Sequence, residues 1–358
     1  MTAGTPWPHL ERSRALHEEV QRLIRRTRDG SAPSAREFDD LACAIARHQA
    51  EAIPALARLW ARRGARPHDA TRADDLPAVP TAAWKRLRIA AHPAALDEAR
   101  FLTSGTTVGD RGEHCLRTTA TYDLAAWTHG ARHLRLGEDD VVLVLVPRAL
   151  DSSLSHMCAL FAGDKAVHAL TGSALDLDAI MGAVARARGT VLVLATSFSL
   201  VYLLDALGGR TVELPPGSRV MQTGGFKGRS RELEPRTLRA ALTRTFGVTE
   251  REIVVEYGMT ELSSQAYDAT LLGGAPEVLV APPWTRVTAC DPATLAPLPP
   301  GAIGVLRVVD LANVDSAVAV QTEDLGRVVP GGFELHGRMP GAGPRGCSLA
   351  VEELLGAR

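Results

Sequence analysis

The sequence predicts an α/β fold with a smaller β-rich subdomain, and three features of its 358 residues support this prediction. Amphipathic helical patterns fill the first hundred residues. Short apolar runs then alternate with helical patterns, which is typical of βα units with a largely parallel, covered sheet. After about residue 276, strand patterns alternate with Pro and Gly turns. We expect a helical part over 1–100, an α/β subdomain over 101–275 and a β-rich part with a tail over 276–358, all in one domain.

The N-terminal helices are marked by their start and stop residues. A helical pattern over 9–29 ends at Gly30. A second helix is predicted to begin at Ser34, because Glu37 three residues later completes a capping box. This helix runs towards Gly64 and is broken at Pro54, since proline cannot continue a helix interior. Residues 74–80 are rich in Pro and Asp and predict a loop.

The remaining elements follow from apolar runs and helical spacing. Four strands and three helices are predicted in the middle of the chain: Val141–Val146, Thr190–Ala195, Arg219–Gln222 and Ile253–Glu256 as strands, and Leu175–Arg188, Ser197–Leu207 and Arg231–Phe246 as helices. Five strands are predicted after them: Glu277–Val280, Trp284–Ala289, Gly304–Val309, Ala317–Gln321 and Phe333–Leu335.

Composition narrows the class of protein. Lys plus Arg total 40 and Asp plus Glu total 41, so a net charge of -1 gives no electrostatic reason to expect a nucleic-acid partner. The five cysteines form no CxxC pair, which favours a reduced, cytoplasmic setting. Residues 1–14 contain no apolar signal core, and the longest apolar run, Val141–Val146, is too short to span a bilayer. We therefore expect no membrane span.

Two segments carry the chemistry. The first contains Thr103, Ser104, Gly105, Thr106 and Thr107, in which hydroxyls adjoin a glycine. Backbone N–H groups and hydroxyls in such a turn hold phosphate oxygens, and a capped surface turn is the alternative. The segment lacks the lysine of a P-loop.

The second segment, Tyr257, Gly258, Met259, Thr260 and Glu261, follows a predicted strand. Ligands bind at the carboxyl ends of strands in α/β sheets, so the Tyr ring can flank a base and the Thr can donate to a phosphate. The Glu can hold Mg²⁺ that bridges phosphates. A solvated turn residue is the alternative for the Glu.

Together these segments resemble motifs of adenylate-forming enzymes, the superfamily of acyl-CoA synthetases, peptide-synthetase adenylation domains and firefly luciferase. Three further motifs follow in the family's order: Thr223-Gly224-Gly225-Phe226-Lys227, Thr322-Glu323-Asp324-Leu325-Gly326-Arg327 and His336-Gly337-Arg338. The resemblance implies that Gly224 and Gly225 lie against adenine, that Asp324 holds the ribose and that Arg338 contacts the nucleotide. It also implies ATP and Mg²⁺ as cofactors, a carboxylic acid as substrate and the family's adenylation core as the fold, with 101–275 as its nucleotide-binding subdomain.

Within this superfamily the sequence most resembles acyl-protein synthetases of the LuxE type (long-chain-fatty-acid–protein ligases), which are relatives of phenylacetate-CoA ligases. Three segments carry this resemblance: Gly337 to Leu355, Tyr257 to Tyr267 and Thr223 to Lys227. The chain departs from ordinary synthetases in the absence of a lysine at the end of the phosphate loop. It also stops at Arg358, so we expect the mobile C-terminal domain with its catalytic lysine to be missing. Lys227 is a candidate to replace that lysine, and a solvated side chain is the alternative.

The resemblance implies that Cys347 accepts the acyl group. Arg345 beside it favours the thiolate, and Gly346 gives a loop reach. A buried apolar role is the alternative. His156 falls where the family has residues near the acyl pocket, and Gly225 also lies there; a capped helix start is the other interpretation of His156.

The leading prediction is therefore a ligase that forms acyl-AMP and pyrophosphate and then transfers the acyl group to a protein thiol, with a reductase or carrier protein as possible acceptor. A second hypothesis is a stand-alone adenylating enzyme that passes acyl-AMP to an amine or to a carrier thiol. A third, of another class, is a non-catalytic nucleotide-binding scaffold. The sequence does not identify the acid.

Overall fold

The computed structural model describes residues 7–28, 31–103, 111–172, 174–224, 233–339 and 345–356, and for 345–349 it describes the backbone only. The described residues divide into two compact units. Unit 1 comprises Met1–Thr128, Met259–Ser264 and Ala281–Arg358, and unit 2 comprises His129–Gly258 and Gln265–Val280. No helix among these residues combines the length and the apolar character that a membrane span requires.

The first part of the chain is helical, as the sequence predicts. Its elements are α1 (Leu10–Thr27), α2 (Ala35–Ala52), α3 (Pro54–Arg62), β1 (Val79–Pro80), β2 (Ala99–Leu102), β3 (Glu113–Leu116) and α4 (Ala120–Leu134). Ser34 and Glu37 form the predicted capping box, in which the Glu37 N–H donates to Ser34 Oγ at 3.2 Å and the Ser34 N–H donates to Glu37 Oε2 at 2.9 Å. Pro54 divides α2 from α3 as predicted. The expected loop over 74–80 contains a short 3₁₀ turn and β1.

The middle of the chain alternates strands and helices. Its elements are β4 (Val141–Leu145), α5 (Ser153–Ala162), β5 (Ala166–His168), β6 (Leu170–Thr171), β7 (Ala174–Leu175), α6 (Leu177–Arg186), β8 (Val191–Thr196), α7 (Ser197–Leu207), β9 (Arg219–Thr223), α8 (Pro235–Phe246), β10 (Ile253–Tyr257), β11 (Ala266–Asp268) and β12 (Leu279–Val280). The predicted strands and helices of this region are confirmed to within a few residues. The helix α6 begins after Asp176, whose carboxylate accepts from the Ala179 N–H and caps it.

Unit 2 is organised around a sheet with the strand order β5-β4-β8-β9-β10-β11-β12. In this sheet the neighbouring strands β5, β4, β8, β9 and β10 pair in parallel. The strands β10, β11 and β12 pair antiparallel. Val193, Leu200, Val220, Leu238 and Ile253 are among the buried side chains that form its core between sheet and helices. The alternation of strand and helix therefore predicts the covered parallel sheet correctly.

The last part of the chain is β-rich until its final helix. Its elements are β13 (Thr285–Cys290), β14 (Gly304–Asp310), β15 (Ala319–Val329), β16 (Gly332–Arg338) and α9 (Arg345–Leu355). In unit 1, β13, β14, β15 and β16 form an antiparallel sheet, and β1 pairs in parallel with β15. The strand predicted over Ala317–Gln321 is longer than expected, since β15 runs on through the Asp324 motif.

A buried carboxylate joins the N-terminal helices to the turn that precedes β15. Asp315 accepts from Ser13 Oγ at 2.7 Å, from His17 Nε2 at 3.0 Å and from His48 Nε2 at 3.2 Å. Arg117 Nε also donates to it at 3.0 Å. Burial opposes ionisation, but these hydrogen bonds outweigh it and lower the pKa of Asp315. The network fixes α1 and α2 on unit 1.

Candidate active site

In unit 2, two sequence motifs lie at one edge of the sheet. The strands β9 and β10 pair in parallel with Thr223 opposite Glu256, so their carboxyl ends meet. Gly224 follows β9 directly and has a φ of 68°, a left-handed conformation that glycine adopts without strain. Ser197 Oγ donates to the Gly224 carbonyl oxygen at 2.6 Å, which fixes this turn at the start of α7. The edge has the position at which α/β sheets bind ligands.

Glu256 is a buried carboxyl group that the sequence analysis missed. Its side chain is 4% exposed and accepts a hydrogen bond from the Thr223 hydroxyl. Burial raises its pKa to about 7, against the opposite effect of that hydrogen bond. A Cβ at position 258 would lie 2.6 Å from Glu256 Oε1, so a side chain at this position would displace the carboxyl group. The available signal was its place at the end of a predicted strand, before Tyr257.

Tyr257 and His156 are the other predicted site residues of unit 2. Tyr257 ends β10 and is half-buried. His156 is half-buried in α5, whose N-terminus is capped by Ser152 Oγ accepting from the Ser155 N–H at 3.2 Å. The capped helix start is therefore confirmed. A contact of His156 with substrate stays a prediction.

In unit 1, Thr103 closes the base of the predicted phosphate loop. The strands β2 and β3 form an antiparallel hairpin in which Leu102 faces Glu113. Thr103 Oγ1 accepts from the Gly112 N–H at 2.8 Å, and the Thr103 N–H donates to the Gly112 oxygen at 2.8 Å. Arg111 Nε donates to the Thr103 oxygen at 2.8 Å. The hydroxyl of Thr103 thus stabilises the hairpin through its oxygen.

The Thr260–Glu261 corner meets this hairpin within unit 1. Thr260 Oγ1 donates to the Leu102 carbonyl oxygen at 3.4 Å. The corner's two carbonyl oxygens are held as well, because His114 Nδ1 contacts the Thr260 oxygen at 2.6 Å and Asn313 Nδ2 donates to the Glu261 oxygen at 2.9 Å. His114 and Asn313 are not predictable as site residues from the sequence, because they lie 146 and 52 residues away from their partners. No local pattern marks either of them.

Glu261 fits the role of a Mg²⁺ ligand by its chemistry. Its side chain is 8% exposed, and the corner that carries it is fixed by hydrogen bonds to both carbonyl oxygens. A carboxylate is the oxygen ligand that Mg²⁺ prefers, and Mg²⁺ on a nucleotide takes only one or two protein carboxylates besides the phosphates. Among the described residues, no group of three or more His, Cys, Asp or Glu side chains is placed to hold a metal ion.

Asp324 and Arg338 form a cross-strand pair in unit 1. They face each other on β15 and β16, and Arg338 Nε donates to Asp324 Oδ1 at 3.2 Å. Asp324 is half-buried, whereas Arg338 is exposed. The structure therefore places the Asp324 motif next to the Arg338 motif. The two side chains are close enough to contact one ligand together.

The expectation for Cys347 requires a correction. The sequence analysis placed it on a loop with reach, but its backbone lies in the helix α9. Ala350, Val351 and Leu354 of that helix are buried in a unit 1 cluster with residues of α3 and β1. Arg58 donates from Nε and Nη2 to the Leu354 oxygen at 3.0 and 2.7 Å. The helix forms because this docking buries its apolar face, which overrides the glycine at 346.

Several predicted site residues lie outside the described part of the chain. They are Ser104, Gly105, Thr106 and Thr107 of the first motif, and Gly225 and Lys227 of the third. For Cys347 the side chain is likewise outside it. The roles expected for these residues stay predictions.

Comparison with known proteins gives the class. Unit 2 has an α/β core with polar motifs at the carboxyl ends of the parallel strands β9 and β10. Residues 101–310 of the chain match the family described as AMP-binding enzyme. Since the match covers more than half of the sequence, the chain belongs to the AMP-binding enzyme family. A search of curated protein sequences finds no match.

Solved structures show the same fold. One is 2-hydroxyisobutyryl-CoA ligase in an open conformation with 2-HIB-AMP and CoA, with a TM-score of 0.65 and 14% identity over 86% of this chain and 71% of that chain. The same ligase in the thioesterification state gives 0.64 and 15% over 92% and 69%. An ATP-bound RpMatB–BxBclM chimera gives 0.50 and 18% over 78% and 52%. At these identities the likeness establishes the fold of the adenylation core.

Proposed function

We propose that this protein activates a carboxylic acid with Mg·ATP to acyl-AMP and then passes the acyl group to a protein thiol, as LuxE-type acyl-protein synthetases do. The observation that carries the first half is the meeting of the β2–β3 hairpin with the Thr260–Glu261 corner, through Thr260 Oγ1 and the Leu102 oxygen. Membership of the AMP-binding enzyme family supports the same reaction.

In the first step, a carboxylate oxygen of the acid attacks the α-phosphorus of ATP. A bond forms between them, the bond from the α-phosphorus to the bridging oxygen breaks, and pyrophosphate leaves. Negative charge grows on the α-phosphate, and hydroxyl and backbone donors stabilise it. We assign this role to the loop residues Ser104, Thr106 and Thr107. We also assign it to Thr260, whose hydroxyl must then turn from the Leu102 oxygen to the phosphate. Glu261 would hold the Mg²⁺ ion, which would supply Lewis-acid charge at the phosphates.

The remaining motifs are assigned to the nucleotide and to the acid in this proposal. We assign to Gly224, Gly225 and the Tyr257 ring the contact with adenine. Asp324 is assigned the ribose hydroxyls, and Arg338 is assigned a contact with the nucleotide. The Arg338–Asp324 hydrogen bond of 3.2 Å supports a shared ligand for these two side chains. Lys227 is assigned a positive charge at the phosphates, and His156 is assigned a place at the acyl site.

The test of the first step is exchange of labelled pyrophosphate into ATP. We expect exchange that depends on a carboxylic acid, because acyl-AMP formation is reversible and only the correct acid completes the cycle. Exchange with no dependence on any acid, or binding of ATP without exchange, would contradict the proposal. The second result would favour the non-catalytic scaffold.

In the second step, the Cys347 thiolate attacks the acyl carbonyl after its proton has passed to solvent. A thioester bond forms, the bond between the acyl carbon and the phosphate oxygen breaks, and AMP leaves. The place of Cys347 in the first turns of α9 supports this role, because a helix N-terminus favours the thiolate. A reductase or a carrier protein is the proposed final acceptor.

Replacing Cys347 with serine tests the second step. We expect Cys347→Ser to form acyl-AMP but to lose the acyl mass shift of the intact protein, since the alcohol is a far weaker nucleophile than a thiolate. Cys290→Ala is the matched control, because Cys290 is buried on β13 and burial raises its pKa. It should keep the mass shift. Full product formation by Cys347→Ser would instead favour direct transfer from acyl-AMP to an amine or a carrier thiol.

A further inference from the structure

A small cavity in unit 1 lies among the residues that hold the Thr260–Glu261 corner. Its lining comes from α1, β3, the start of α4, the segment after Glu261 and the turn between β14 and β15. The cavity volume that the centre of a water molecule can occupy is about 10 Å³. That is room for about one water molecule.

Three polar side chains that line this cavity each have an atom without a partner. They are His114, Ser263 and Asn313, which are 0%, 1% and 1% exposed. Among the residues that the structure describes, His114 Nε2, Ser263 Oγ and Asn313 Oδ1 accept and donate no hydrogen bond. Leaving buried polar atoms unpaired costs free energy, so three such atoms at one polar cavity indicate a common ligand.

The hydrogen bond and the burial of His114 determine what its ring offers to that ligand. Its Nδ1 contacts the Thr260 carbonyl oxygen at 2.6 Å, and a carbonyl oxygen only accepts, so Nδ1 carries the proton. Burial lowers the pKa of His114 to about 4, against the effect of this hydrogen bond, so the ring is neutral near pH 7. Nε2 is then an acceptor.

The same reasoning fixes Asn313 and Ser263. Asn313 Nδ2 donates to the carbonyl oxygens of Glu261 and Ala317, both at 2.9 Å, and two acceptors on one side of the amide settle its orientation. Asn313 Oδ1 is therefore an acceptor. Ser263 contributes a hydroxyl, which donates as well as accepts. The ligand must donate to His114 Nε2 and to Asn313 Oδ1, and it must accept from Ser263 for the buried hydroxyl proton to be paired.

A water molecule has this set of donors and acceptors. We propose that one water occupies the cavity, donates to His114 Nε2 and Asn313 Oδ1, and accepts from the Ser263 hydroxyl. His114 and Asn313 each hold one carbonyl oxygen of the corner, so the water joins the two side chains into a single clamp on Thr260 and Glu261. His114 and Asn313 are then positioning residues, and their effect on catalysis rests on the proposed function. A cation such as ammonium lacks the acceptor that Ser263 requires.

A high-resolution crystal structure of the wild-type protein tests the water directly and needs no activity. We expect a density peak within hydrogen-bond distance of all three atoms. An empty cavity, or a His114 or Asn313 side chain turned to another protein partner, would overturn the proposal. A double-mutant cycle with Ser263→Ala and His114→Asn, in which the free energy of unfolding is measured, tests the coupling between these two side chains. The double variant should lose less stability than the sum of the two single losses, and strict additivity would contradict the shared water.

Kinetics test the positioning role. We expect His114→Phe to lower acid-dependent exchange about 10- to 100-fold and to raise the Mg²⁺ concentration needed for half-maximal rate, as loss of an orienting residue does. His114→Asn keeps an N–H for the Thr260 oxygen and should recover part of both effects. His133→Phe is the matched control, because His133 is buried and its Nδ1 contacts the backbone oxygen of His129 at 3.0 Å.

The outcomes distinguish failure of the positioning role of His114 from failure of the proposed adenylation reaction. An unchanged rate and Mg²⁺ dependence in His114→Phe would overturn the positioning role, and so would an equal change in His133→Phe. If His114→Phe does not fold, His114→Asn carries the kinetic test with the same expected direction and a smaller size. If the wild-type protein shows no acid-dependent exchange, the proposed function fails, while the crystal structure and the unfolding cycle still decide whether the water clamp exists.

Discussion

Replacing Glu261 with alanine is expected to abolish acid-dependent pyrophosphate exchange, lowering its rate by at least about 100-fold. The carboxylate is the proposed ligand of the metal ion that offsets charge on the phosphates, and without it the α-phosphate gains charge with one less positive partner. The corner itself should persist, because its carbonyl oxygens are held by His114 and Asn313 rather than by the Glu261 side chain. The measurement is the exchange rate as a function of Mg²⁺, with thermal unfolding to verify the fold.

Glu261→Gln separates charge from shape. The amide has nearly the same size as the carboxylate but is a weaker metal ligand, so it should lose nearly as much activity as alanine. Retained exchange in either variant at saturating Mg²⁺ would show that Glu261 is not the metal ligand. Loss of the folded state in both would instead assign Glu261, which is 8% exposed, to the core.

Replacing Glu256 with glutamine is expected to change how the free energy of unfolding depends on pH. Glu256→Gln is expected to stabilise the protein at pH 8, relative to its effect at pH 5, by about 2–3 kcal/mol. The Glu256 carboxyl group is buried, and burial raises its pKa from 4.5 to about 7. At pH 8 the wild-type protein must keep a buried carboxylate, whereas glutamine is neutral at every pH and still accepts from the Thr223 hydroxyl.

The direction of this pH effect on stability follows from the number of protons that the native and unfolded states bind. Between pH 4.5 and about 7, native Glu256 holds a proton that the unfolded chain has released, so the native state binds more protons there. Stability from this group therefore falls as pH rises through that window, and the full cost is present above pH 7. Urea unfolding of wild type and variant at pH 5 and pH 8 measures it, because other titrating groups cancel in the comparison.

Glu213→Gln is the matched control for this prediction. Glu213 is exposed on unit 2, so its substitution should change stability by a similar small amount at both pH values. An equal effect of Glu256→Gln at pH 5 and pH 8 would mean that the Glu256 carboxyl group is hydrated in solution and titrates normally.

Local signals account for the parts of the fold that the sequence predicted. The capping box of Ser34 and Glu37 and the break at Pro54 depend on residues close in sequence, and both are confirmed. The strands β4, β8, β9 and β10 follow from apolar runs, because strands covered on both faces of a sheet need apolar side chains throughout. The order of motifs along the chain then gave the family.

What the sequence could not predict depends on distant contacts. The helix α9 begins at Arg345-Gly346, where local preference favours a turn, and it forms because Ala350, Val351 and Leu354 dock on unit 1. His114 and Asn313 are single polar residues whose roles appear only when the fold brings them to Thr260 and Glu261. The burial of Glu256 could not be predicted either, because it depends on Thr223 of the neighbouring strand, whose hydroxyl donates to the carboxyl group.

Formation of acyl-AMP by this protein is measured most directly by pyrophosphate exchange across a panel of carboxylic acids of increasing chain length. We predict exchange well above background for at least one group of acids, with the acyl-AMP mass detected in the same mixtures and neither signal present without acid. ATP binding together with background exchange for every acid would contradict the claim.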